Sequence, residues 1–194
     1  MRVIPNMIVV QPCDYEEAKK ATIAISTNKK PSYLRLSRQD TEVITKESDK
    51  FEIGKINILK YADKPQVAII GCGPILVEAL KAADELMKKD IEVMVINCHT
   101  IKPIDEEGIV KAAKLCGAVV TVEEHQIMGG LGSAVAEVLV SSLPAGRQVP
   151  IEFIGVKDSF GESARNWNEL WDKFGLRAKN IEEAVKKAIV RKQA

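Results

Sequence analysis

Along this chain, short runs of apolar residues typical of β-strands alternate with longer segments in which apolar residues recur at helical spacing. Near the start, the apolar run at residues 7–10 predicts a strand, and the capping-box pattern that begins at Asp14 predicts a helix ending near Asn28. A second strand is expected at residues 32–36. One βαβ unit cannot cover both faces of a parallel sheet. Residues 1–40 are therefore expected to be the end of a domain whose front is missing.

Residues 41–65 differ in composition from what precedes and follows them. They are mostly charged and polar, and one stretch at residues 51–59 alternates apolar and polar positions. Such alternation is typical of a half-buried strand. We interpret residues 41–65 as a linker that carries one or two short strands.

Residues 66–194 show a regular alternation of strand and helix patterns. Such alternation favours a mainly parallel sheet with helices on both faces. The predicted fold class is thus α/β, with a complete domain at 66–194 preceded by a partial βαβ unit. The predicted strands are 67–70, 91–96, 118–122 and 151–154, the predicted helices are 75–87, 105–116 and 132–143, and a final helix is expected to be capped by Asn180 and Glu183.

Composition and charge exclude several classes of partner. Of 194 residues, 46% are apolar, which suffices for a core, and 28 basic against 27 acidic residues leave a net charge of +1. Binding to nucleic acid or to an anionic membrane would need a clustered excess of Lys and Arg, so neither is expected. No apolar run approaches the length of a membrane span.

The cysteine pattern favours a reducing, cytoplasmic location. The four cysteines are widely spaced and form no C-x-x-C pair, so neither a zinc site nor a disulfide framework is expected. Free cysteine most often acts as a small buried apolar residue. No metal-ligating set is predicted.

The segment between the strand at 118–122 and the helix that follows it contains the most residues of potential chemical use. Glu123, Glu124 and His125 come first, and Gly129, Gly130 and Gly132 follow. Glycines at a helix start can hold an anion or simply permit a tight turn. Two carboxylates with one histidine are a weak acid/base signal, and no nucleophile accompanies them. We favour a structural or interface turn, with catalysis by His125 as the alternative.

Two other patterns have simpler interpretations than a ligand site. The turn at residues 71–74 contains two glycines of a dinucleotide-binding fingerprint. The third glycine is absent and a proline occupies the turn, so NAD binding is not expected. Trp167 and Trp171 are four residues apart, which puts them on one helical face and indicates a packing or subunit contact.

Arg38 follows the second predicted strand, at the sheet edge where parallel sheets collect ligands. Its guanidinium would suit two-point binding of a phosphate or carboxylate. The chemistry of the residue alone leaves this role and that of a surface arginine equally open.

As an ordered set, these stretches resemble the C-terminal part of transketolase and its thiamine-diphosphate-dependent relatives. The resemblance covers nearly the whole chain, although no single motif would establish it. The stretches that carry it are residues 2–7 and 11–14, Leu36-Ser37-Arg38-Gln39, residues 67–73, Val122-Glu123-Glu124-His125, Gly129-Gly130-Leu131-Gly132, residues 154–158 and residues 160–162.

The resemblance implies a set of expectations about function. Residues 1–40 would end the pyrimidine-binding domain, and residues 66–194 would form the transketolase C-terminal domain. The family moves a two-carbon ketol unit between sugar phosphates on thiamine diphosphate, and Arg38 inherits the role of binding the substrate phosphate. A homodimer is expected.

The family segments that activate and hold the cofactor do not occur in this sequence. These are the activating glutamate, the aromatic residue that stacks on the aminopyrimidine, the channel histidines, and the ligands of the diphosphate and magnesium. The chain is therefore expected to be a fragment or one piece of a split enzyme, inactive alone and without bound cofactor. Its partner would be the N-terminal part of the same enzyme or a second subunit. A break just before Met1 resembles truncation more than a natural subunit end.

Two alternatives stay open on the sequence. The same region occurs in deoxyxylulose-phosphate synthase and in the beta subunit of 2-oxoacid dehydrogenases, although the Arg38 stretch favours transketolase. A non-catalytic assembly module is the other alternative.

Overall fold

The apolar runs predicted as strands in the second part of the chain lie side by side in one sheet. The structure is a computed structural model that describes residues 1–193. Its strands are β1 (Ile8–Val10), β2 (Ser32–Leu34), β3 (Asn57–Lys60), β4 (Val67–Cys72), β5 (Val93–Asn97), β6 (Thr100–Lys102), β7 (Val119–Gln126) and β8 (Ile151–Val156). Its helices are α1 (Tyr15–Thr27), α2 (Leu76–Met87), α3 (Glu106–Cys116), α4 (Leu131–Ser142), α5 (Trp167–Lys173) and α6 (Ala178–Gln193).

The main sheet has five strands in the order β3-β5-β4-β7-β8. β4 pairs in parallel with both β5 and β7, and β7 pairs in parallel with β8. Only the edge strand β3 is antiparallel, and it comes from the segment predicted as a linker. All six residues of β4 are buried, as expected for a central strand covered on both faces.

Alternate side chains of the main sheet enter two separate cores. Val67, Ile69 and Val120 pack on one face with α2 and α6, whereas Ala68, Ile70 and Val119 pack on the other face with α3 and α4. This arrangement follows from the two-residue period of a strand. The predicted α/β fold with helices on both faces is confirmed.

The N-terminal βαβ unit is completed by a strand from the second half of the chain. β1 pairs in parallel with β2 and antiparallel with β6, so that the small sheet has the order β2-β1-β6. β6 follows β5 after two residues and was not predicted, because its sequence lacks an apolar run. The unit therefore depends on the second half of the chain for its third strand. The domain boundaries at residues 40 and 65 stay predictions.

A buried polar network fastens α1 to the main sheet. The Glu17 carboxylate accepts hydrogen bonds from Asn97 Nδ2 at 2.7 Å and from the Cys13 backbone N–H at 2.8 Å. Burial raises the pKa of Glu17, although both hydrogen bonds act against that rise. Asn97 ends β5, so this network joins helix α1 to the main sheet.

The predicted cap of the final helix is wrong. α6 begins at Ala178, before Asn180, and the Ala178 backbone N–H donates to Glu78 Oε2 at 2.8 Å. Glu78 lies on α2, 100 residues earlier in the chain. A carboxylate at a helix N-terminus also interacts favourably with the helix dipole. The helix start is thus set by a neighbouring element, which local pattern could not reveal.

The predicted cap of α1 is confirmed and has additional partners. Asp14 Oδ1 accepts from the Glu17 N–H at 2.9 Å, and Asp14 Oδ2 accepts from the backbone N–H groups of Ile44 and Thr45 at 2.7 and 2.6 Å. The Thr45 hydroxyl donates to Oδ1 at 2.8 Å. Burial acts to raise the pKa of Asp14, but these hydrogen bonds outweigh it and hold the pKa below its ordinary value.

We predict that Asp14→Ala lowers the free energy of unfolding by about 2 to 4 kcal/mol, because it removes a helix cap and leaves further buried N–H groups unpaired. The pKa of Asp14 is depressed in the folded state. The difference in unfolding free energy between wild type and variant should therefore be largest above about pH 4, and it should shrink as the pH falls through the folded-state pKa. Urea unfolding at several pH values measures it. The control Asp63→Ala, at an exposed position, should change stability by less than about 0.5 kcal/mol.

Candidate functional site

The predicted turn begins later than its sequence suggests. β7 continues to Gln126, so Glu123, Glu124 and His125 belong to the strand, and residues 127–130 make the connection to α4. Gly129 has φ of +77°, a conformation that glycine adopts at no steric cost. Because neighbouring residues of a strand point to opposite faces, the two adjacent carboxylates face different parts of the molecule.

Glu123 holds the start of α4. Its carboxylate accepts from the Leu131 N–H at 2.8 Å and from the Gly132 N–H at 2.9 Å, and the residue is only 2% exposed. Burial raises the pKa of Glu123, and the two backbone hydrogen bonds oppose that rise. The helix N-terminus could have held an external anion. Instead, the chain's own carboxylate occupies it.

The glycines of the turn make room for this contact. A Cβ on Gly130 would lie 1.9 Å from Glu123 Oε2 and 2.7 Å from the Gln126 carbonyl oxygen. A Cβ on Gly132 would lie 2.6 Å from Phe153 Cδ1 and 2.7 Å from Thr121 Oγ1. A side chain at either glycine would therefore clash with its neighbours, so close packing by itself requires glycine at both positions.

Glu124 joins the N-terminal unit to α5. Its carboxylate accepts from Gln39 Nε2 at 3.2 Å, from Ser37 Oγ at 3.4 Å and from Trp171 Nε1 at 3.1 Å. Its backbone carbonyl accepts from Arg35 Nη2 at 2.8 Å. The segment on both sides of Arg38 is therefore fixed against the main sheet. Trp171 is 4% exposed and meets the more exposed Trp167 edge to face, with ring centroids 4.7 Å apart.

Among the described residues, His125 contacts no nucleophilic side chain that it could activate. Its Nδ1 lies 2.8 Å from the Gln126 carbonyl oxygen and 3.8 Å from Glu123 Oε2. Its side chain is 46% exposed. A nucleophile and its base normally lie within hydrogen-bond distance of each other. Within residues 1–193, His125 has no Ser, Thr, Cys or Lys side chain as a hydrogen-bond partner.

Arg38 is exposed and lines an open cleft of about 560 Å³. The charged and aromatic residues that also line the cleft are Glu124, Glu162, Arg165 and Trp167. No ion pair of Arg38 or Arg165 occurs within the part of the chain that the structure describes. Two arginines without carboxylate partners thus share one cleft. Arg165 was not singled out from the sequence, because only folding brings it to the segment of Arg38.

Residues 1–193 contain neither a metal-type cluster of side chains nor a membrane-spanning helix. No group of three or more His, Cys, Asp or Glu side chains is arranged to hold a metal ion. None of the described helices is long and apolar enough to cross a membrane. All four cysteines are buried free thiols.

Comparison with known proteins identifies the family. The family model described as "Transketolase, C-terminal domain" matches residues 54–181. The chain belongs to the transketolase family. It is 41% identical, over 99% of its own length, to the 6-deoxy-6-sulfo-D-fructose transketolase subunit SqwH of Clostridium sp. (strain MSTE9). It is 44% identical, over 96% of its length, to a putative transketolase C-terminal section of Methanocaldococcus jannaschii.

Solved structures agree with this assignment. A structure titled "Split gene transketolase, inactive beta4 tetramer" superposes with a TM-score of 0.91 at 39% identity, over 98% of this chain and 60% of that one. The transketolase of Campylobacter jejuni superposes with a TM-score of 0.73 at 18% identity, over 96% of this chain and 27% of that one. The second similarity shows the fold alone.

This transketolase-family chain spans only part of its relatives. It covers 58% of the length of both the clostridial and the archaeal protein. The predicted resemblance to the C-terminal part of transketolase is confirmed. The roles predicted for Arg38 and for the turn stay predictions.

We predict that Gly130→Ala lowers the free energy of unfolding by about 2 to 4 kcal/mol. The new methyl group must displace a buried carboxylate from two hydrogen bonds and also crowds a backbone oxygen. Gly161→Ala is the control, because a Cβ there meets nothing within 4 Å. Urea unfolding of both variants measures the effect. When Glu123 is already replaced by alanine, Gly130→Ala should lower the free energy of unfolding by clearly less than it does in the wild type. An equal cost in both backgrounds would contradict the role given to Glu123.

Proposed function

We propose that this chain is the C-terminal part of a transketolase that transfers a two-carbon ketol unit between sugar phosphates. The single observation that carries the proposal is the match of residues 54–181 to the transketolase C-terminal domain. Relatives named as a transketolase subunit and as a C-terminal section support it. In this proposal a second polypeptide, or a further part of the same enzyme, supplies the remaining catalytic groups.

The donors available in residues 1–193 do not fit the cofactor of this reaction. Thiamine diphosphate needs a magnesium ion and diphosphate ligands, yet no metal-type cluster is present among these residues. The N–H groups at the start of α4 could have received a diphosphate, but they are bound to Glu123. We therefore propose that thiamine diphosphate and magnesium are held by the other part of the complete enzyme, and that the chain alone is inactive.

Assembly is the second role that we propose for this chain. One similar structure is titled an inactive β4 tetramer of a split-gene transketolase. By analogy, this chain would associate with itself and would become active only with its complementary part. As in the family, we expect two copies of the complete enzyme to form a homodimer. The turn at Gly129 and Gly130 is a candidate contact between subunits. The contacts of Glu123 with the start of α4 support a structural role of the turn.

Arg38 is proposed to bind the phosphate of the sugar substrate. It is exposed in a cleft of about 560 Å³, a volume within the usual range of small-molecule sites. Its flanking residues Ser37 and Gln39 both donate to Glu124, which restrains the segment that presents the guanidinium. A restrained arginine loses less entropy on binding a phosphate than a mobile one.

We predict that Arg38→Met, in an enzyme reconstituted with its complementary part, raises KM for a sugar phosphate about 10- to 150-fold with a smaller effect on kcat. This range corresponds to the loss of one charge-assisted contact. Steady-state kinetics measures it. With a ketose donor that lacks the phosphate, the difference between the variant and the wild type should largely disappear.

The matched control for this experiment is Arg147→Met, which removes an exposed arginine from a turn after α4. This control should change KM for the sugar phosphate by no more than about twofold from the wild-type value, as expected for a surface substitution. A KM for the sugar phosphate that Arg38→Met leaves unchanged would remove Arg38 from the substrate site.

We further predict that the isolated chain shows no magnesium-dependent binding of thiamine diphosphate, because its donors do not fit the cofactor. Isothermal titration calorimetry with and without magnesium measures this, and the complete enzyme is the positive control. Tight, magnesium-dependent binding to the isolated chain would contradict the division of roles proposed here.

A further inference from the structure

One wall of the Arg38 cleft is apolar, although most of the residues around the cleft are polar. Trp167 and Leu170 of α5 both line it. They are three residues apart, which places them on the same face of that helix. Trp167 is 37% exposed, so part of this residue is accessible to a ligand in the cleft. The role proposed for Arg38 makes no use of this wall.

Trp167 is held in place by its neighbours. Its ring meets that of Trp171 edge to face, with centroids 4.7 Å apart. Trp171 is buried and donates from Nε1 to Glu124 Oε1 at 3.1 Å, so the supporting ring is itself fixed. The backbone around Trp167 is restrained by Asn166 Oδ1, which accepts from the Asn168 N–H at 3.0 Å. A ligand that packs against Trp167 would therefore lose little free energy to ordering this side chain.

One carboxylate links the two sides of the cleft. Glu124 accepts from Trp171 on the α5 side, and it also accepts from the two residues that flank Arg38. The segment that presents Arg38 and the helix that presents Trp167 are thus tied to the same side chain. Because the contacts are made within the chain, the separation of the arginine from the apolar wall is set before any ligand binds.

The charges that line the cleft offset one another. Its two arginines, Arg38 and Arg165, are matched by two carboxylates. These are Glu124, which accepts from three side chains, and Glu162, which forms an ion pair with Lys173. Such a lining suits a ligand with an uncharged polar body and one charged end. A sugar phosphate has this form, and its C–H groups can pack on an aromatic surface.

We propose that Trp167 is a substrate-binding residue of the Arg38 cleft, where its indole packs against the carbon chain of the sugar whose phosphate Arg38 binds. The inference rests on the function proposed above, from which the substrate class is taken. The two contacts differ in chemical character, because Arg38 contacts the charged end and Trp167 contacts C–H groups. A ketose without phosphate therefore loses the first contact and keeps the second.

The test is steady-state kinetics of the enzyme reconstituted with its complementary part, using a ketose phosphate and the same ketose without phosphate. Trp167→Ala should raise KM for both donors about 3- to 10-fold and change kcat by less than about twofold. Trp167→Phe keeps an aromatic surface, so its KM should stay within about twofold of the wild-type value. Tyr61→Ala is the matched control and should leave KM unchanged, because Tyr61 is 60% exposed and does not line the cleft.

An unchanged KM for both donors in Trp167→Ala would overturn the inference. An equal rise in Trp167→Ala and Trp167→Phe would overturn it too, since the aromatic surface would then make no difference. If Trp167→Ala does not fold, as judged by circular dichroism, Trp167→Leu, which is apolar but not flat, replaces it under the same criteria.

The same measurements separate this inference from the role proposed for Arg38. Arg38→Met should raise KM for the phosphorylated ketose alone, whether or not Trp167 contacts the sugar. If Trp167→Ala raises KM for both donors and Arg38→Met raises it for neither, the phosphate role of Arg38 fails and the contact of Trp167 stands. Absence of ketol transfer by the wild-type complex would contradict the proposed function and overturn this inference with it.

Discussion

The two adjacent carboxylates at the end of β7 organise this molecule, because a strand turns successive side chains to opposite faces. Glu123 faces α4 and completes its N-terminus, whereas Glu124 faces α5 and the segment after β2. Either carboxylate on the other face would meet a different set of donors. One register along β7 thus sets both the glycine turn and the attachment of the N-terminal unit.

The N-terminal unit is a dependent part of the structure rather than a free-standing fragment. Its third strand is β6, its helix is fastened through Glu17 to Asn97, and its last segment is held by Glu124. Each contact joins residues that are more than 75 positions apart in the chain. Each of these contacts closes a long loop of chain, and bringing the ends of such a loop together costs entropy. The small sheet is therefore held in place by contacts with distant parts of the chain.

The end of β7 also separates two regions of different chemistry. On the Glu124 side lies an open cleft with two arginines, Arg38 and Arg165, that have no carboxylate partners among the described residues. On the Glu123 side lies a small cavity lined by Gln11, Arg35 and Cys72. Arginines and carboxylates therefore lie on both sides of this strand end.

The sequence by itself determined the alternation of elements, the α/β class, the cap of α1 at Asp14, and the need for glycine in the connection after β7. These features are local, because periodicity, capping and backbone freedom depend on residues a few positions apart. The family was also recognisable from ordered motifs. Only the tertiary structure decided that β6 completes the small sheet, that Glu78 starts α6, and that Glu123 and Glu124 serve opposite faces. Those outcomes depend on polar groups that meet across long stretches of chain, and no local pattern specifies which groups will meet.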